Sequence, residues 1–203
     1  KPGIAIWSAK RLGESIKEKL IEWINEAQQN TDKSERTEAL KKHSAIALAL
    51  IGGKEALPIL RSMIKERDSF ILKDCRKNNQ MRGFIAIYLA GKLRDTEIID
   101  ELIDIICNPK EIEKPLYQDK NLSTIRYAVE GYNDIYFQFF SHSVMALTKI
   151  GDKYEEYREK ISKALKEAIK DDLYIGRMVN NKPEIYEYSM VANISNIVNK
   201  KIE

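Results

Sequence analysis

The chain has 203 residues, 43% of them hydrophobic and 32% charged, so it is long enough to bury a core of its own and too apolar to stay unfolded. Its 34 basic and 31 acidic residues leave a net charge of +3, which supplies no field strong enough to draw nucleic acid or an anionic membrane. No run approaches the roughly 18 apolar residues of a membrane-spanning helix.

In chain order, the first unit spans residues 4–30. Ile4 to Leu12 reads as a helix carrying Trp7, Gly13 ends it, and Leu20, Ile21 and Ile24 return on a second helix beside Trp23. The second unit, 34–67, repeats the plan about Gly52, with Leu48 and Ile51 before it and Ile59, Leu60 and Met63 after it. The third, 78–107, repeats it about Gly91, with Ile87 and Ala90 before and Ile98, Ile99 and Leu102 after. These glycines stand 39 residues apart, and each is expected to close one helix in a left-handed cap so that the next runs back.

An insertion over 108–133 interrupts the period, with Pro109 and Pro115 breaking helix and a short helix expected within Ser123 to Val129. The fourth unit, 134–170, opens on Asp134 as an N-cap, turns at Gly151 and returns on Tyr154, Tyr157, Ile161, Leu165 and Ile169. After an irregular stretch, Pro183 suits the first turn of a last helix, a C-terminal cap over 183–203 with Met190, Val191, Ile194, Ile197 and Val198 on its apolar face.

A two-helix hairpin cannot bury its own apolar stripe, so the hairpins are expected to stack into one array over 1–203 with polar covers at its ends. The N-terminal end has no such cover, and the first residue is Lys1, so residues upstream are expected to have been removed. No basic-then-apolar signal segment opens the chain; the compartment stays open, with the cytoplasm favoured.

Two segments carry a family resemblance: Met81-Arg82-Gly83-Phe84-Ile85-Ala86-Ile87-Tyr88-Leu89-Ala90-Gly91-Lys92-Leu93-Arg94-Asp95 and Ala146-Leu147-Thr148-Lys149-Ile150-Gly151-Asp152. Both resemble the HEAT repeats, in particular the bilin-lyase-like branch. That branch reads Val-Arg, paired alanines, an Ala-Leu-Gly-x-Leu-Gly-Asp turn, then Ala-x-x-x-Leu. Ala47 to Leu60 is similar, and the resemblance covers roughly residues 5–170. It implies an all-α, right-handed superhelix of about four hairpins whose second helices line the concave side, acting in most members as a binding scaffold. It also admits a second register, in which Arg94 stands opposite Gly52 and Gly151 and the spacing is 42.

Catalytic groups do not converge. His43 and His142 both stand nine residues before a glycine, two units apart, hence roughly 20 Å from each other at about 10 Å per helix layer, and each is expected to bond a nearby backbone or carboxylate. Cys75 and Cys107 lack metal-ligand spacing and read as small buried side chains. Gly52-Gly53-Lys54 precedes a helix but lacks the spacing of a phosphate-binding loop. Neither a cofactor nor a metal is expected, and the chain is read as leaning away from an enzyme.

The repeat frame instead aligns charges. Glu22, Arg61 and Asp100 form one column and Glu26, Lys65 and Asp104 another, one turn apart, so stacked units are expected to set opposite charges side by side. A basic run, Lys73, Arg76, Lys77 and Arg82, lies between units two and three. Seven of the 17 aromatic residues crowd 117–140. Phe137 and Phe140 join a core stripe with Val144 and Leu147, and Tyr136 and Phe139 start a second with Ser143, Ala146 and Ile150. Tyr117, Tyr127 and Tyr132 have no such periodicity, and tyrosine is favoured at recognition surfaces. The expected function is a non-catalytic module that binds a protein or peptide through Tyr117, Tyr127, Tyr132, Arg61, Lys65, Asp100 and Asp104. The alternatives are a nucleic-acid-binding protein like the HEAT-like DNA glycosylases, and a lyase-like tetrapyrrole binder.

Overall fold

A computed structural model describes residues 12–32, 34–66, 81–108, 127–128, 135–168, 174–179 and 182–187. These form two compact units, divided between Asp95 and Thr96, and the core of each is helix packed on helix.

The first unit begins with a 3-10 turn, Gly13–Ile16, leading into α1, Lys17–Gln29. α1 buries Leu20, Ile24 and Ala27, a one-sided stripe at helical spacing. α2, Glu35–Leu50, starts where the Ser34 hydroxyl accepts a hydrogen bond from the Thr37 amide at 3.4 Å, satisfying one of the donors that a helix start leaves open. Every residue of α2 from Ser44 to Ala49 is buried. A helix covered all round needs neighbours on several sides, and α1, α3 (Leu57–Lys65) and α4 (Met81–Leu93) all pack on it. α3 carries Pro58 in its first turn, where the fixed φ fits, and faces Leu57, Ile59, Leu60, Met63 and Ile64 inward. Leu48, Leu60, Met63 and Ile64 have no solvent exposure, and each such side chain contributes about 1.5–3 kcal/mol by its burial.

The turns settle the repeat register within this unit. After α2, Gly52 is left-handed at φ 94° and the Gly53 amide returns to the Leu48 carbonyl at 2.9 Å. After α4, Arg94 is left-handed at φ 56° and the Asp95 amide returns to the Ala90 carbonyl at 3.0 Å. The same bond closes both helices, so Arg94 is the counterpart of Gly52, at a spacing of 42 and not 39. Gly13, left-handed at φ 58°, keeps the 39-residue step to Gly52. The expectation that Gly91 ends a helix is therefore corrected: α4 runs through it to Leu93. Gly151 is likewise inside its helix, which continues to Lys153.

A left-handed arginine is costly because its Cβ crowds the following carbonyl, by roughly 1–2 kcal/mol. Glycine removes that cost and adds about 0.5–1 kcal/mol of lost chain freedom on folding. Arg94→Gly is thus expected to stabilise the protein by about 0.5–1 kcal/mol, read as a higher urea midpoint at constant slope. A lower midpoint would mean that the Arg94 side chain contributes more than its backbone costs.

The second unit holds a 3-10 turn, Thr96–Ile98, then α5, Ile99–Cys107; α6, Ile135–Lys153; a 3-10 turn, Glu155–Tyr157; and α7, Arg158–Ala168. α5 packs on α6 and α7, which also pack on each other. α5 buries Ile99, Leu102, Ile105 and Ile106, and α7 buries Ile161, Ala164, Leu165 and Ala168. Both aromatic stripes expected of α6 reach the core, through Phe140, Val144 and Leu147 on one and Phe139, Ser143, Ala146 and Ile150 on the other. Cys107 is half-buried, its thiol 3.6 Å from the Ala164 carbonyl; Cys75 lies outside the described residues.

This unit also contains a small sheet in the order β1 (Tyr127–Ala128), β2 (Tyr174–Val179), β3 (Lys182–Glu187). β1 runs parallel to β2 with Tyr127 opposite Ile175; β2 runs antiparallel to β3, from Tyr174 opposite Glu187 to Val179 opposite Lys182. Two expectations are corrected here. The helix expected from Pro183 is strand as far as Glu187, and the helix expected over Ser123 to Val129 is strand at Tyr127–Ala128. The rest of the expected cap, from 188 onward, lies outside the described residues. Pro183 pairs with Met178 on β3, an edge of this sheet, where proline is accommodated.

Candidate interaction surface

Arg61 sits on α3 with its guanidinium turned to Asp95, the residue after the left-handed turn of α4. Nε donates to Oδ2 and Nη2 to Oδ1, both at 2.7 Å, a fork that matches the carboxylate. Asp95 is buried and the Arg61 side chain is a quarter exposed, so the pair joins α3 to the end of α4. The carboxylate that Arg61 engages in this fork lies outside the expected charge column. Glu22 pairs with Lys19 of its own helix at 2.7 Å, and that hydrogen bond holds the Glu22 carboxyl below its ordinary range. Asp100, at the start of α5, pairs with Lys160 of α7. The last two are exposed pairs, whose attraction solvent screens, so they add little to cohesion.

The remaining candidates are scattered. Lys65 is exposed in the last turn of α3, where a cation suits the helix dipole. Asp104 is exposed on α5 and accepts a hydrogen bond from the Asn108 side-chain amide at 2.9 Å. Tyr127 lies on β1, and Tyr117 and Tyr132 lie outside the described residues, as do Lys73, Arg76 and Lys77 of the basic run. At Gly52-Gly53 both amides are spent on the end of α2, bonding the carbonyls of Ala49 and Leu48, so they do not form a cradle for phosphate.

His43, on α2, donates from Nδ1 to the Ala39 carbonyl at 2.6 Å, the backbone partner expected of it. His142, on α6, is half-buried, and burial followed by the nearby Lys149 charge holds its pKa below the ordinary 6.5. The native state then binds fewer protons than the unfolded chain below that value. Stability is full above about pH 6.5 and is lost as the pH falls toward the depressed native pKa. The melting temperature of the wild type is expected to drop between pH 7 and pH 5, and His142→Gln to flatten that slope; an unchanged slope would place its origin elsewhere. Among the described residues no cluster of three His, Cys, Asp or Glu side chains could hold a metal ion. No described helix is long and apolar enough to cross a membrane.

Two contacts that local sequence patterns do not announce also shape the surface. Lys92 of α4 donates to the Leu50 carbonyl at 2.7 Å, closing the end of α2 from a helix that packs on it, and Lys42 of α2 reaches Glu66 just beyond α3 at 3.1 Å. Along the outer side of α7 lies a hollow of ≈ 710 Å³, bordered by Glu155, Arg158, Glu159, Ser162, Lys163, Lys166 and Glu167. Compared with protein-family models, curated proteins and solved structures, the chain matches none.

Proposed function

We propose that the chain is a scaffold of stacked HEAT-like hairpins, right-handed in its superhelix, that binds a protein or peptide and carries out no chemistry itself. The observation that supports this reading is the neighbour pattern inside each unit. In the first, α2 and α4, each the helix that precedes a turn, pack on each other; in the second, α5 and α7, each a helix that follows a turn, do the same. Rank-on-rank packing of this kind is how hairpins that cannot bury their own stripes cover one another. The charged outer face of α7 suits the end of such an array, where a polar cover is needed. Arg61, turned to Asp95, counts toward cohesion and away from a continuous basic track for nucleic acid.

Binding falls to the tyrosines of the insertion, Tyr117, Tyr127 and Tyr132. The test is affinity capture from native lysate with the wild type and with a Tyr117→Ala, Tyr127→Ala, Tyr132→Ala variant, followed by mass spectrometry and by reconstitution with the purified partner. The wild type is expected to retain a protein that the variant loses, at an unchanged melting temperature. Equal recovery by both baits would sink the tyrosine surface, and salt-sensitive retention of DNA or RNA alone would sink the scaffold reading.

A further inference from the structure

No further inference is drawn: the strongest candidate, the hollow along the outer side of α7, is bordered among the described residues by cations (Arg158, Lys163, Lys166) and carboxylates (Glu155, Glu159, Glu167) in equal number, and nothing in the structure shows what would fill it.

Discussion

Replacing Arg61 with alanine is expected to lower the unfolding free energy by about 3 kcal/mol, several times the effect of breaking any exposed pair of the molecule. The Asp95 side chain is 3% exposed and receives two charge-assisted hydrogen bonds from one guanidinium, so the variant takes both away from a carboxylate that water reaches poorly. The quarter exposure of Arg61 sets the loss at the lower end of the 3–5 kcal/mol typical of a broken buried pair, because water can enter where the head group stood. Arg61→Lys keeps the charge and loses the fork, and is expected to fall between the alanine variant and the wild type. Removing both charges in Arg61→Met with Asp95→Leu is expected to recover most of the loss, since the desolvation cost disappears along with the attraction. Urea unfolding of the four proteins reads all of this; a loss under about 1 kcal/mol for Arg61→Ala would mean that the pair behaves as a surface pair.

That pair also marks how far the sequence was legible. The helices of the first unit follow from local stripes: Ile59, Leu60 and Met63 announce α3, and Gly52 announces the end of α2. The Arg61–Asp95 contact joins residues 34 apart and has no local signature. It becomes readable only in the 42-residue register, where Leu93-Arg94-Asp95 stands as the turn of its unit, and Gly91 masks that register because a glycine near a helix end looks like its cap. The sheet was less legible for a similar reason. Tyr127 meets its partner Ile175 from far along the chain, and Pro183 fits a helix start as well as it fits a strand. Downstream, Met190, Ile194 and Ile197 stand at helical spacing, which draws the reading of the same stretch toward helix. Of the surface residues, sequence spacing identified charges that are exposed, as Lys65, Asp100 and Asp104 are, but not which charge each would meet. Lys160 and Asp100 come together because α7 packs on α5, a consequence of packing and not of period.

Gly53→Ala is expected to cost about 2 kcal/mol although the backbone at that position suits any residue, with φ −71° and ψ 110°. The cost is one of space. A methyl group there would sit 2.4 Å from Leu48 Cδ1, 2.6 Å from its Cγ and 3.1 Å from its carbonyl oxygen. Leu48 has no exposure into which to swing, and its carbonyl already accepts the Gly53 amide, so neither side chain nor backbone yields cheaply. The counterpart turn explains why a larger residue is tolerated there. Asp95 holds the position of Gly53, and the residue five before it, which accepts its amide, is Ala90 where the other turn has Leu48. A small residue at either place makes room for a larger one at the other. Leu48→Ala alone leaves a cavity and is expected to cost about 3 kcal/mol. In that background Gly53→Ala is expected to cost well under 1 kcal/mol, because the clash is gone and the methyl group fills part of the void. Equal penalties for Gly53→Ala in the two backgrounds would show that the turn and Leu48 are not coupled, and that the size match between the two turns is a coincidence of composition.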